Sequence, residues 1–184
     1  NFRCPYCHNA SLVLNAGKAQ NISEEDFFDF LSRRKGLLDG VCISGGEPLI
    51  QEEIGRFISK IKSLGFLVKL DTNGSFPSRL KELAGDGLVD YVAMDIKNSP
   101  AGYVKTAGTT EKMLPEIKES VTFLLSGHVE YEFRTTVVKE FHTEEDFVAI
   151  GKWIQGARRY FLQNFVDSGD LIRPGLHGID KAVL

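Results

Sequence analysis

The sequence predicts an α/β fold in which helices pack against a parallel sheet. Strand-like and helix-like segments alternate along the 184 residues, and this alternation is typical of parallel sheets whose crossover helices lie outside the sheet. Five segments have the short apolar or alternating pattern of strands, and the segments between them repeat apolar residues at helical spacing. No repeat or low-complexity stretch interrupts the pattern, so we interpret residues 1–184 as one domain.

The first half of the chain contains three predicted helices and two predicted strands. A capping pattern at Ser23 to Asp26 opens the first helix. The strand GVCIS follows, in which we expect Cys42 to be a small buried hydrophobe, and the helix QEEIGRFISKIKSLG comes next. FLVKLD is the second strand, and the short helix PSRLKELAG begins at Pro77 and ends at Gly85.

The second half continues with the strand YVAMDI, the helix MLPEIKESVTFLLSG and the alternating strand EYEFRTTVV. A capping pattern at Thr143 opens the helix TEEDFVAIGKWIQG, and YFLQNF is the last strand. Residues 166–184 contain several Gly residues and are expected to form a surface tail. The first helix has no strand before it, so we expect a sixth strand upstream of Asn1.

Composition excludes several classes of protein. A formal net charge of −3 argues against a nucleic-acid partner, which would require clustered cations. No apolar run approaches the roughly 20 residues that span a bilayer, so we expect no membrane association. The cysteine count of three argues against a disulfide framework and favours a reducing, cytoplasmic compartment.

The run CPYCH near the start has four possible chemical meanings. It could be a redox dithiol, a c-type haem attachment, part of a zinc site or part of an iron–sulfur site. Five strand–helix units do not match a glutaredoxin-like dithiol, and both Met residues lie inside regular elements, unlike the axial ligand of a cytochrome. A structural zinc site needs four ligands, and no second C-x-x-C exists. An iron–sulfur site at Cys4 and Cys7 remains, provided that another cysteine lies upstream.

Polar and Gly-rich segments follow the first three predicted strands, namely SGGEP, DTNG and DIKN. Each alone could simply turn the chain, but parallel strands bring their carboxyl ends to one edge of the sheet. We therefore expect Gly46, Asp71 and Asp95 to line one cleft. Paired glycines allow a ligand to approach the backbone closely. Carboxylates beside Lys97 suit a ligand that carries an ammonium and a carboxylate, such as an amino acid.

Together these motifs resemble the radical S-adenosylmethionine enzymes, through C-x-x-C, SGGEP, DTNG and MDIK. The longer runs NFRCPYCHN, MDIKNSP and YEFRTTVV resemble the anaerobic ribonucleoside-triphosphate reductase activating proteins, which are glycyl-radical activases. The resemblance covers almost the whole chain. It implies a partial (βα)6 barrel whose first strand is missing from this chain.

The resemblance also implies the site. Cys4 and Cys7 would be the second and third ligands of a 4Fe-4S cluster, and a cysteine is expected immediately before Asn1. Because that first ligand is absent here, we expect Asn1–Asn9 to be loosely placed. The S-adenosylmethionine contacts implied by the family are Tyr6 and His8 against adenosine, Gly45, Gly46 and Glu47 at the methionine ammonium, and Asp71, Asn73, Asp95 and Lys97 along the methionine and ribose.

The implied activity is reductive cleavage of S-adenosylmethionine, after which a hydrogen atom is taken from a backbone glycine of an anaerobic ribonucleoside-triphosphate reductase. A low-potential electron donor of the flavodoxin or ferredoxin type is implied as well. No general acid or base is required, so we name no catalytic side chain. Two alternatives stay open: a small radical enzyme acting on a free metabolite, and a non-catalytic metal-binding or electron-transfer module.

Overall fold

In the computed structural model, which describes residues 1–14 and 21–180, one parallel sheet organises the chain. Its five strands lie in the order β1-β2-β3-β4-β5, so each strand pairs with its neighbour in sequence. The sheet does not close into a full barrel, which confirms the predicted α/β fold of the partial-barrel type. The strands are Gly40–Ile43 (β1), Leu67–Thr72 (β2), Tyr91–Asp95 (β3), Glu130–Val137 (β4) and Tyr160–Asn164 (β5).

Helices follow the strands as predicted, with boundaries that differ from the predicted ones by at most three residues. The capping patterns are confirmed, because the Ser23 side chain accepts from the Asp26 N–H and Thr143 forms a complete capping box with Asp146. The helices are Ala10–Leu14 (α1), Glu24–Ser32 (α2), Ile54–Ser63 (α3), Pro77–Gly85 (α4), Tyr103–Ala107 (α5), Leu114–Leu125 (α6) and Glu144–Trp153 (α7), with 3-10 turns at Pro48–Ile50 and Glu111–Met113.

One face of the sheet, which we call the outer face, carries the apolar core. Its strand residues are almost fully buried, as are the helix residues packed against them. Burial of each such side chain contributes roughly 1.5–3 kcal/mol relative to exposure. The central members are Val68, Leu70, Val92, Met94 and Phe133 on the strands, and Ile58, Ile61, Leu80, Ile117 and Leu124 on α3, α4 and α6.

The opposite face, the inner face, is polar. Cys42 aligns with Lys69, and Lys69 with Tyr91, so their side chains share this face. Cys42 is exposed, and its predicted role as a buried hydrophobe is therefore wrong. Sequence alternation placed Ile43 and Cys42 on opposite faces, but only the face that carries Ile43 is covered by helices.

Residues 166–180 contain no helix or strand, yet they are not a free tail. Leu176 is buried, and the N–H of Arg173 donates to the carbonyl of Pro5 at 2.9 Å. This segment therefore packs against the CPYCH loop, while residues 181–184 of the expected tail lie outside the described residues. In the part of the chain that the structure describes, no helix is both long and apolar enough to cross a bilayer.

Candidate active site

A cleft of about 210 Å³ opens at the carboxyl edge of the sheet. Gly46, Asp71 and Asp95 all line it, so the predicted convergence of the strand ends is confirmed. Glu47 is not part of the lining. The other candidate residues that line the cleft are Cys4, Tyr6, Cys7, His8, Gly45, Asn73 and Lys97.

The cysteine loop forms one wall of this cleft. The Cys7 N–H donates to the Cys4 carbonyl at 3.0 Å and closes a tight turn. Phe2, Cys4 and Tyr6 are each less than 8% exposed, so the expectation that Asn1–Asn9 would be loosely placed is wrong. Its apolar side chains are part of the main core, which anchors the loop.

Helix α5 holds the loop from behind. The Cys4 Sγ lies 3.4 Å from the Ala107 carbonyl oxygen, and the Arg3 N–H donates to the Gly108 carbonyl. Gly108 ends α5 in a left-handed conformation with φ of 58°, and an added Cβ would overlap the Arg3 carbonyl. Burial raises the pKa of the Cys4 thiol, although the nearby Lys97 ammonium opposes this effect. The sequence does not predict α5, because five residues are too few for a helical pattern and the helix is positioned by its contacts with Arg3 and Cys4.

A network of charges forms the opposite wall. The Arg134 guanidinium donates to Asp95 Oδ1 at 3.1 Å and to Asp71 Oδ2 at 3.3 Å, and Lys97 Nζ donates to Asp95 Oδ2 at 2.9 Å. Arg134 lies beside Asp95 on the inner face of β4 and is not among the site residues predicted from the sequence. Its alternation with apolar neighbours in EYEFRTTVV was the only available signal. Arg134 thus joins the ends of three strands.

These contacts determine the ionisation of Asp95. Burial alone would raise the pKa of its carboxyl, but Lys97 and Arg134 together lower that pKa below its ordinary value of 3.8. The same carboxylate helps raise the pKa of Lys97 well above its usual range despite burial. Both groups are therefore charged at neutral pH.

Asp95→Asn is expected to lower the free energy of unfolding by about 2 kcal/mol at pH 7, because two charge-assisted hydrogen bonds are weakened. A carboxyl with a lowered folded-state pKa stabilises the fold above its unfolded pKa, and this contribution is lost as pH falls. The difference between native and variant proteins should therefore narrow below about pH 3.8. Urea unfolding at pH 7, 5 and 3 tests this, and a difference that stays constant contradicts it.

The loop after β3 is supported by His142. Its Nδ1 lies 3.1 Å from both the N–H and the carbonyl oxygen of Val138, and its Nε2 lies 3.0 Å from the Lys97 carbonyl oxygen. His142 lies in the loop just before α7 and is buried. It fixes the backbone from which Lys97 reaches the cleft.

Glu47 connects two loops of the site. Its buried carboxylate accepts from Thr72 Oγ1 at 2.8 Å and from the backbone N–H groups of Asn73 and Leu49 at 2.7 and 3.2 Å. Burial raises the pKa of Glu47, and these hydrogen bonds counteract part of that effect. The side chain therefore holds SGGEP against DTNG. Gly45, with φ of 142°, adopts a conformation that L side chains rarely reach.

Asn73 is also engaged with the protein. Its Nδ2 donates to Asn1 Oδ1 at 2.9 Å, and its Oδ1 accepts from the Ser75 N–H at 3.0 Å. The Asn1 side chain in turn donates to Ser75 Oγ. These bonds tie the start of the cysteine loop to the turn after β2.

Comparison with known proteins identifies the family. The family model described as the radical SAM superfamily matches residues 1–154. The chain belongs to the radical SAM superfamily. It is therefore an enzyme of this superfamily rather than a non-catalytic metal-binding or electron-transfer module.

Two individual relatives indicate which members of the superfamily the chain is similar to. The chain is 36% identical over 174 residues to a Methanocaldococcus jannaschii protein provisionally named a glycyl-radical enzyme activating enzyme, covering 90% of this chain and 69% of that protein. This match confirms the resemblance to glycyl-radical activases. A GTP 3′,8-cyclase of Alkaliphilus oremlandii is 28% identical over 127 residues, covering 66% of this chain and 40% of the relative. The chain thus spans less than half of that cyclase.

A solved structure supports the fold. The crystal structure of Streptococcus suis SuiB bound to S-adenosylmethionine matches with a TM-score of 0.70 and 15% identity, covering 98% of this chain and 40% of that one. At this identity the similarity concerns the fold alone.

The cleft suits the cofactor pair that the family name implies. Within the described residues, Asp71 Oδ1 and the Tyr6 hydroxyl are buried without a hydrogen-bond partner, and such groups are normally satisfied. Lys97 uses one of its three N–H groups on Asp95. Two thiols, an unsatisfied carboxylate oxygen and spare ammonium donors therefore face one space, which fits a thiolate-bound cluster beside a zwitterionic ligand.

Proposed function

We propose that this protein is a glycyl-radical activase whose partner is an anaerobic ribonucleoside-triphosphate reductase. Cys4 and Cys7 bind a 4Fe-4S cluster, and a cysteine immediately before Asn1 completes its ligands. A low-potential flavodoxin or ferredoxin in the cytoplasm supplies the electron. The 36% identity to the M. jannaschii protein supports the activase class.

One observation carries this proposal: the two cysteines share a cleft with the charged network of Asp71, Asp95, Lys97 and Arg134. Cluster and S-adenosylmethionine together supply the one-electron chemistry that removes a hydrogen atom from carbon. The protein must bind both side by side and exclude water. A cleft with thiols on one wall and paired charges on the other satisfies that requirement.

The remaining residues are assigned as follows. Lys97 binds the methionine carboxylate, and Asp71 and Asp95 line the methionine and ribose side. The backbone of Gly45 and Gly46 meets the ammonium, while Glu47 and Asn73 position these loops. Tyr6 and His8 lie against the adenosine, and His8 is oriented by its packing on Phe165, with ring centroids 5.3 Å apart.

The test uses the full-length protein reconstituted anaerobically with iron and sulfide. With S-adenosylmethionine and dithionite it should form 5′-deoxyadenosine. With the reductase present, electron paramagnetic resonance should show a radical whose hyperfine splitting changes when the reductase glycines are deuterated. Formation of 5′-deoxyadenosine without any radical on the reductase would overturn the assigned partner.

Asp95→Ala is expected to weaken S-adenosylmethionine binding about tenfold, because it removes a pocket carboxylate and releases Lys97 and Arg134. The iron content should not change, since no cluster ligand is lost. Asp90→Ala is a matched control: Asp90 flanks the opposite end of β3, pairs with Lys62, and has the same 31% side-chain exposure as Asp95. Calorimetry showing equal affinities for the two variants would contradict the assignment.

A second candidate is a radical enzyme acting on a free nucleotide. The similarity to the A. oremlandii GTP 3′,8-cyclase over 127 residues favours it. The two candidates differ in the molecule that must enter beside the cleft, either a polypeptide or a polyphosphate.

A further inference from the structure

Asn98 follows Lys97 directly, and its amide side chain is buried in the protein beside the cleft, with 1% of the residue exposed. Its Nδ2 donates to Thr106 Oγ1 and to the Phe141 carbonyl, both at 2.8 Å, and its Oδ1 accepts from the Ser99 N–H at 2.6 Å. An Asn side chain has two N–H donors and one acceptor oxygen, so each polar group of Asn98 has a partner. Buried polar networks that are fully satisfied in this way make the local structure rigid.

The partner Thr106 belongs to α5, the helix that holds the cysteine loop. Thr106 is 1% exposed, and the carbonyl of the next residue, Ala107, lies 3.4 Å from Cys4 Sγ. Because Thr106 and Ala107 are neighbours on a helix of only five residues, a shift of one is passed to the other. A continuous set of contacts therefore runs from Lys97 through Asn98 and α5 to Cys4.

Helix α5 also contacts the end of β3 on the other side of Lys97. The hydroxyl of the buried Tyr103 donates to the Asp95 carbonyl at 3.3 Å. At the start of α5, a Cβ added to Gly102 would lie 2.6 Å from Asn98 Nδ2, so the helix and the amide are in close contact. The segment Asp95–Asn98 is thus fixed to α5 at both of its ends.

Helix α7 and the loop before it support the same segment from the far side. Ser99 Oγ donates to Asp146 Oδ1 at 2.6 Å, in the first turn of α7. His142 Nε2 lies 3.0 Å from the Lys97 carbonyl oxygen, and the carbonyl of the preceding residue, Phe141, accepts from Asn98. The loop that carries Lys97 is therefore held between α5 and α7, and the Asn98 amide contacts both sides.

We propose that Asn98 and Thr106 are positioning residues that set the distance between the Lys97 ammonium and the cysteine loop. The inference rests on the proposed role of Lys97 in binding S-adenosylmethionine. A ligand that is held by Lys97 and also lies against the cysteine loop needs both at a matched spacing, and a misplacement of about 1 Å can cost on the order of 100-fold in rate. Among the described residues, neither Asn98 nor Thr106 lines the cleft, so both act through Lys97 and Cys4.

The test compares Thr106→Val with Thr106→Ser in the full-length, cluster-loaded enzyme. Valine has nearly the shape of threonine but lacks the hydroxyl, so an Asn98 N–H loses its acceptor, whereas serine keeps that acceptor. Calorimetry without reductant measures the binding of S-adenosylmethionine. Thr106→Val is expected to weaken binding about five- to tenfold, and Thr106→Ser to bind within about twofold of the native enzyme. Each affinity is referred to the iron-loaded fraction of the protein.

A double-mutant cycle separates positioning from general damage to the fold. If Thr106 acts through Lys97, Thr106→Val should have little further effect in a Lys97→Ala background, and the double variant should bind within about twofold of Lys97→Ala alone. Damage that does not pass through Lys97 would weaken binding by the same factor in both backgrounds. Urea unfolding of each variant shows that the protein is folded under the conditions of the calorimetry.

The outcomes separate this inference from the proposed function. Weaker binding by Thr106→Val, native binding by Thr106→Ser and loss of the effect in the Lys97→Ala background together support the inference. Native binding by Thr106→Val, weakened binding by Thr106→Ser, or equal factors in the two backgrounds overturns it while the proposed function stands. Native binding by Lys97→Ala alone overturns the role proposed for Lys97, and the inference with it.

Discussion

Cys4→Ala and Cys7→Ala proteins are expected to lose the iron–sulfur cluster and, with it, all formation of 5′-deoxyadenosine above background. A cluster iron without its thiolate is poorly held and open to oxidative loss. The full-length protein should bind about four irons per chain, and each variant less than about one. Iron analysis and the visible absorption of the reconstituted protein measure this directly.

The chain provides its own control for this experiment. Cys42 is exposed on the inner face, at β1, and is not part of the cleft lining. Cys42→Ala should therefore keep its iron and its activity. Equal iron loss in Cys42→Ala, or full iron in Cys4→Ala, would refute the ligand assignment.

Gly108→Ala is expected to have the next largest effect, because it acts on the cysteine loop through the backbone. Alanine at φ of 58° costs roughly 1–2 kcal/mol, and its Cβ would also overlap the Arg3 carbonyl. Backbone cannot yield as a flexible side chain can, so Arg3 and Cys4 must move. We expect about 3 kcal/mol of lost stability in all and lower iron incorporation during reconstitution.

Gly87→Ala is the control that separates the conformational cost of alanine at a positive φ from the steric overlap with the Arg3 carbonyl. Gly87 has φ of 67°, and an added Cβ would meet no atom within 4 Å. It should therefore show only the conformational cost and normal iron incorporation. If urea unfolding and iron content are the same for both variants, Gly108 does not position the cysteine loop.

The periodic parts of the fold could be predicted from sequence. The helix Pro77–Gly85 has its predicted boundaries, and both predicted caps form as expected. These features depend on neighbours within a few residues, so the local pattern contains the necessary information. The short helix α5 was missed because its position depends on contacts with Arg3 and Cys4, about a hundred residues away.

The site could be predicted only in outline. Motifs at successive strand ends predicted the convergence of Gly46, Asp71 and Asp95, since parallel strands share an edge. The role of each individual residue in the site could not be predicted in this way. Glu47 has the sequence signature of a ligand-facing carboxylate, yet its oxygens are occupied by Thr72 and by the backbone of Asn73 and Leu49.

The sequence by itself determined the strand–helix order, the two-faced pattern of each strand and the cysteine pair, because spacing along the chain encodes them. Only the tertiary structure decided which strand face is covered, leaving Cys42 exposed, and which charges meet. Arg134 bridges Asp71 and Asp95 because strand register aligns side chains that lie 39 and 63 positions apart in sequence. Alternation specifies a side chain's face, whereas its partner depends on strand pairing across the sheet.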